Sequence, residues 1–226
     1  MKMLQLLIPT LVVLGLFSPR YAKAEDKNSG EGLKIGAYLG PSVPSDNLKQ
    51  VYELANFKDQ SVAYDFATSL GFHVGARARY GWTEALSFCG GVQYTKFPDQ
   101  NIVFTNGQGV RYEIQTTTNI IPVFAGLTFF PFQFVATPYF SGEVLYSYRS
   151  TSVSNGKSIL QDVLSPGTEL EPKQSRAGAA LAFGIELHLA GLQPFVEAKY
   201  IMSNLVGKAD GELDRSFLNI SVGLIF

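Results

Sequence analysis

Two histidines, His73 and His188, and one cysteine, Cys89, are the side chains of this 226-residue chain best suited to act as base, nucleophile or soft metal ligand. A single thiol can form neither an intramolecular disulfide nor a thiolate metal cluster. His188 follows Glu186 by two positions, which in a strand places both on one face. An acid–histidine pair becomes hydrolytic only when a nucleophile stands within about 3 Å of the ring, and no serine is positioned by the sequence to do so. His73 lies about eight residues above its short turn and His188 about two above its own, so at roughly 3.3 Å per residue they do not share a site. Both histidines read as polar filler and Cys89 as small filler; no enzyme, metal site or cofactor is expected.

A second set is purely electrostatic. Arg77, Arg79, Glu143, Glu186, Glu197 and Lys199 fall on the small-residue face of their segments. Counted up from the short turns, Arg77, Glu186 and Glu197 stand at similar heights. An unpaired buried charge costs several kcal/mol and must find a partner. A lumen ion cluster of these six residues is therefore the expectation, with separately hydrated side chains as the alternative.

The segments that must position these residues alternate with period two. From Phe66 to Tyr80, Phe66, Thr68, Leu70, Phe72, Val74, Ala76, Ala78 and Tyr80 share one face, against Gly71, His73, Gly75, Arg77 and Arg79 on the other. Leu86 to Thr95 and Arg176 to Leu189 repeat the pattern, with Gly, Ala and Ser along the second face. The stretches Leu33–Val43, Arg111–Phe130, Thr137–Arg149 and Pro194–Ser203 alternate less cleanly and are placed by spacing as well. Phe217 to Phe226 completes a set of eight. Its Leu218, Ile220, Val222, Leu224 and Phe226 lie opposite Asn219, Ser221 and Gly223. Many small residues with a few long charges suit the narrow interior of an eight-stranded barrel.

Composition decides which side of the barrel is apolar. Charged residues make up 16% and aromatic residues 13%, with 17 Phe and 11 Tyr, where soluble domains carry roughly 25% charged residues. Net charge is −1 with dispersed basic residues, so no nucleic-acid footprint exists. After residue 24 no apolar run reaches the ~18 residues of a transmembrane helix. Connections alternate between short (Gly81–Glu84, the Pro131–Phe134 region, Ala190–Gln193) and long (Pro44 to about Ser61, Pro98 to about Val110, Ser150 to about Ser175, Asn204 to about Asp214). That sorting belongs to barrels with periplasmic turns and extracellular loops. Tyr80, Trp82, Phe130, Phe132, Phe134 and Phe226 then form one aromatic girdle, and Tyr94, Tyr146, Tyr148 and Tyr200 the other.

The ends agree with this architecture. Residues 1–24 join Lys2, an apolar run from Leu4 to Phe17 and Ala22-Lys23-Ala24, the pattern of a secretory signal peptide. The final strand, with Asn219, Leu224 and the aromatic Phe226, resembles the C-terminal assembly signal of bacterial outer-membrane barrels, with Ser221 where glycine is usual. Residues 25–226 as a whole resemble the small outer-membrane β-barrel family of the opacity and OmpA type. The resemblance implies an all-β, eight-stranded antiparallel up-and-down transmembrane β-barrel in the outer membrane of a Gram-negative bacterium. It also implies contact with outer-membrane lipid and lipopolysaccharide, and delivery by the barrel assembly machinery through the last strand. A structural or surface-interaction role follows, with an extracellular ligand at the long loops. A small gated pore or hydrophobic-solute transporter is the second reading, and a lipid A-modifying enzyme the third. The loop Ser150–Ser175, rich in turn chemistry and without a periodic apolar face, is expected to be mobile. Asn47–Asp59, with Leu48, Val51, Tyr52 and Leu54 at near-helical spacing, is a candidate helix over the mouth.

Overall fold

The computed structural model describes residues 32–49, 58, 63–66, 70–105, 111–132, 134–189, 192–208 and 212–226. The signal-peptide segment 1–24 lies outside the described residues, as does most of the candidate mouth helix. Of the latter only α1 (Asp46–Lys49) and Lys58 are described.

The described strands are β1 (Gly32–Pro44), β2 (Ala63–Phe66), β3 (Gly71–Gly81), β4 (Leu86–Thr105), β5 (Arg111–Phe129), β6 (Ala136–Asn155), β7 (Lys173–Leu187), β8 (Gln193–Val206) and β9 (Ser216–Ile225), with a second helix, α2 (Lys157–Val163). All pairings are antiparallel. Eight strands close a ring in chain order, in which β1 joins β3 on one side and β9 on the other. β2 and β3 keep one register on β4, with Phe66 opposite Ile102 and Phe72 opposite Lys96. Of the long run expected from Phe66 to Tyr80, residues 67–69 lie outside the described residues, and its two described parts, β2 and β3, pair with the same strand.

The alternation read from the sequence becomes an inside and an outside. Along β6, Tyr139, Ser141, Glu143, Leu145, Ser147 and Arg149 are buried, while Phe140, Val144, Tyr146 and Tyr148 are exposed. Along β7, Leu181, Phe183, Ile185 and Leu187 are exposed against the buried Ala180, Ala182 and Glu186. An apolar belt repeated around a whole ring is far larger than the exposed patches that soluble monomers carry. Hydrocarbon is the solvent that matches it. Trp82, Phe132, Phe134 and Phe226 project outward at the short-turn end as expected. Phe130 does not: it is buried beneath the barrel, because Phe130 continues the inward row of Thr128.

Inside, three aromatic rings fit against glycines directly across the ladder. Tyr38 stands opposite Gly75, Tyr139 opposite Gly184 and Phe195 opposite Gly223. A Cβ added at any of these glycines would lie within the facing ring's van der Waals envelope. The small-residue face is therefore a set of sockets that lets large rings lie flat in a lumen of small bore.

The long-connection end differs from the expectation. β4, β5 and β6 are 20, 19 and 20 residues long, whereas a tilted membrane strand needs about 9–11. The connection drawn from Pro98 to Val110 is largely strand, continuing to Thr105. The connection Ser150–Ser175 contains the end of β6, helix α2 and the start of β7. Its helix does carry an apolar face, which short-range periodicity did not reveal: Leu160 and the following Leu164 pack on Ile102 of β4 and Ile114 of β5. Gly156, at φ +81°, makes the turn into α2 against Ile114, where a Cβ would also clash.

Gly184→Val should displace the Tyr139 ring and destabilise the barrel by about 1–3 kcal/mol. The Gly142→Val change, at a position open within 4 Å, should do much less. Urea unfolding in detergent micelles checks the difference, and equal midpoints would show that the sockets carry no strain.

Candidate functional site: the barrel lumen

Six inward charged side chains meet in two tiers. In the upper tier the Arg77 guanidinium donates from Nη1 to Glu197 Oε2 at 2.8 Å and from Nη2 to Oε1 at 2.6 Å. Tyr139 OH donates to Glu197 Oε2 at 2.9 Å. Lys199 Nζ lies 2.8 and 2.9 Å from the two oxygens of Glu143 and 3.6 Å from Glu197 Oε1. Two cations thus face two carboxylates, all four buried. In the lower tier Arg79 makes the same fork to Glu186, at 2.6 and 2.8 Å, and His188 Nε2 approaches Glu186 Oε1 at 3.0 Å. Two parallel N–H···O bonds fix orientation as well as distance.

Height above the turns alone groups Arg77 with both Glu186 and Glu197. The structure gives Glu197 to Arg77 and Glu186 to Arg79. Across the β7–β8 ladder Glu186 stands opposite Phe195 and Glu197 opposite Gly184, so the two acids occupy different rungs. Counting from turns does not include the stagger that barrel shear imposes.

Aromatic side chains that the sequence reading did not assign to the site hold the cations in place. The Arg77 guanidinium carbon lies 4.7 Å from the Tyr38 ring centre and 4.6 Å from that of Phe195. Arg79 lies 4.9 Å from the Phe130 ring, and Lys199 Nζ 4.4 Å from Phe124. Desolvated cation–π contacts of this kind are worth about 2 kcal/mol. The Tyr38 and Phe195 rings are the ones seated on Gly75 and Gly223. Their partners become recognisable only when the register is known.

His73 and His188 take separate partners, as their heights suggested. His73 is buried, with Ser42 Oγ 3.0 Å from Nδ1 and Ser221 Oγ 2.8 Å from Nε2. Ser42 gives its own proton to Asn219 Oδ1 at 2.7 Å, which leaves its oxygen to accept from Nδ1–H and makes Ser221 the donor to Nε2. The network assigns this tautomer. Two serines that the sequence could not place are therefore on this ring, and both are buried within the wall. Their position suits another task. The β1–β9 ladder lacks the pairs Gly40–Ser221 and Pro41–Ile220 although its register continues on either side. His73 reaches from β3 past β1 to β9 at that gap. Cys89 faces inward and is buried, opposite Arg79 on one side and Gly126 on the other.

Above the ions the inward rows turn apolar. Leu145 follows Glu143 on β6, Ile201 follows Lys199 on β8, and Phe217 follows Asn219 on β9. With Phe97, Ile120, Phe124, Ala180 and Leu48 from α1 they pack as one buried cluster. Still higher, Ser147, Arg149, Arg176, Ser203 and Arg215 form a polar mouth.

A closed ring with an apolar outside, a polar filled interior and all its long connections at one end is the architecture of an outer-membrane barrel. The sequence matches the outer membrane protein beta-barrel domain family over residues 8–226. The chain belongs to that family. As an outer membrane β-barrel it spans the Gram-negative outer membrane with turns in the periplasm and loops outside. Among solved structures it is similar to Neisserial surface protein A, with 15% identity, 88% of this chain and 98% of that chain covered, and a TM-score of 0.53. OprG from Pseudomonas aeruginosa is similar at 12% identity over 89% and 99% of the two chains, TM-score 0.48. Ail, the attachment invasion locus protein of Yersinia pestis, is similar at 14% over 87% and 99%, TM-score 0.42. At these identities the likeness concerns the fold alone. Comparison with curated proteins gives no match.

Removing Glu197 leaves Arg77 and Lys199 facing Glu143 alone. Glu197→Ala should cost about 3–5 kcal/mol, read as a fall in the urea midpoint in micelles. Glu171→Ala, which removes the exposed pair with Lys157, should leave the midpoint nearly unchanged. Similar losses in the two variants would mean that burial does not set the worth of these pairs.

Proposed function

We propose that this outer membrane β-barrel is a closed, non-enzymatic structural protein that carries a rigid extracellular platform for surface interaction. The observation that carries the reading is the filled lumen: a charge-balanced ion network that plugs the barrel, overlaid by the Leu48–Phe97–Phe217 apolar layer. An eight-stranded bore holds side chains and no wide channel. An apolar constriction above paired ions also opposes continuous water, because hydrophobic constrictions dewet. The platform is the extension of β4, β5 and β6 beyond the length a bilayer requires, with β2 added to the β4 edge and α2 packed on one side. Lys58 joins it, donating from its backbone N–H to Val163 O at 3.0 Å and from Nζ to Asp162 O at 2.6 Å.

The histidines support the absence of an activity in this reading. His73 spends both ring nitrogens on Ser42 and Ser221 within the wall, and His188 is engaged with Glu186. Residues 1–24 serve as the export signal. Outer-membrane lipid and lipopolysaccharide surround the apolar belt, and the barrel assembly machinery engages the last strand. Asn219 faces inward, bonded to Ser42, while Leu224 and Phe226 face out. Phe226 also exchanges two backbone bonds with Ile35, at 2.9 and 3.0 Å, across the closing seam.

In planar bilayers the purified barrel should give no discrete conductance steps, and a reproducible unitary conductance would replace this reading with that of a gated pore. Deleting Phe226 should sharply reduce the heat-modifiable, membrane-inserted fraction. Unchanged insertion would remove Phe226 from assembly.

A further inference from the structure

Above the apolar layer the lumen opens into a small cavity at the extracellular mouth, with Ile120 among the residues of its wall. Three guanidinium groups line it from three directions: Arg149 on β6, Arg176 on β7 and Arg215 just before β9. Arg149 and Arg215 are buried, although each lies at the end of the barrel that faces water. The cavity already receives one oxyanion, and the chain supplies it. Glu212, from the β8–β9 connection, puts Oε2 at 3.0 Å from Arg176 Nε and 2.9 Å from Nη2. Its Oε1 takes Asn204 Nδ2 at 3.1 Å and lies 3.7 Å from Arg215 Nε. A planar fork from arginine, an amide donor and a second guanidinium around one carboxylate form the donor set with which proteins bind phosphate and carboxylate groups.

We propose that this mouth cavity is a binding site for a single phosphate or carboxylate group, and that Glu212 is its intramolecular occupant, which an external anion displaces. A tethered carboxylate competes at the high effective concentration that a short connection gives. The intact protein therefore binds external anions weakly until Glu212 leaves. Arg149, which donates from Nη2 to Gln174 Oε1 at 3.0 Å, lines the same cavity and adds its guanidinium to the donors around an incoming anion. The external group is a phosphate on an outer-leaflet lipid or a free anion of the medium; both present the same oxygens. The site lies outside the apolar layer, so it is independent of whether the barrel conducts.

The test titrates inorganic phosphate against chloride at constant ionic strength, on full-length barrel in zwitterionic micelles, with arginine side-chain NMR shifts as readout. Glu212→Gln should bind phosphate at least 10-fold more tightly than the wild type, and Arg149→Gln added to it should abolish the gain. No gain in Glu212→Gln, or a gain that survives Arg149→Gln, overturns the proposal. Heat-modifiable migration certifies that each variant is folded. Should Glu212→Gln not fold, wild type is compared with Arg149→Gln at high phosphate, where an equal response in both overturns the site. A parallel arm replaces free phosphate with lysophosphatidic acid in the micelle at equal concentration. Stronger binding there assigns the site to lipid phosphate, and stronger binding to inorganic phosphate assigns it to a soluble anion.

Discussion

Hydrocarbon gives a backbone N–H or C=O no hydrogen-bond partner, and each one left unpaired costs several kcal/mol. The sheet must therefore close on itself, and closure falls to β1 and β9. Their register holds from Gly36–Ile225 to Pro44–Phe217, and the Ile35–Phe226 exchange extends it by a further rung. The weak point of this seam is Pro41, which has no N–H. His73, Ser42, Ser221 and Asn219 gather at that point. A side-chain network thereby joins the two strands where the backbone ladder does not.

Closure with eight strands leaves a bore that side chains must fill, and the order of filling follows from what each layer faces. Tyr38, Tyr139 and Phe195 enter where the residue across the ladder is glycine, which leaves room for each ring. Once seated, those rings form walls of low polarity around Arg77. Its charge then needs Glu197 at bidentate distance, and Glu197 in turn orients Tyr139 and approaches Lys199. Replacing such a network with apolar residues of equal volume is often neutral or stabilising. Its contribution here is better described as fixing which strand stands at which height, since Arg77 and Arg79 differ by one inward position and each has its own acid.

The sequence carried the fold because two constraints repeat along it: alternation that puts the apolar side outward, and connections sorted by length. The inward direction of Arg77, Arg79, Glu143, Glu186, Glu197 and Lys199 follows from the same alternation. Their partners do not, since pairing depends on shear, which no single strand encodes. Phe130 was misplaced for a related reason: by alternation alone it belongs to the inward row of β5, but its closeness to Phe132 and Phe134 suggested the girdle. The His73 serines come from β1 and β9, 31 and 148 residues away in the chain, a separation that no local motif can report. The face of α2 was missed because seven residues are too few to establish a period.

The extracellular end follows from the same physics once water replaces lipid. Above the membrane the extended hairpin no longer closes a narrow bore, so apolar side chains that continue its inward row must find other protein. Ile114 continues the buried row of Thr116, Thr118 and Ile120 and pairs across the ladder with Ile102; both pack against Leu160 and Leu164 of α2, and β2 covers the edge of β4 that β3 no longer reaches. These elements make what the sequence presents as polar connections into a packed extension of the barrel wall. An interaction surface built this way needs less ordering when a partner arrives than a flexible loop would, because its backbone is already fixed by the ladder. The rigidity of the barrel is in this manner carried past the bilayer.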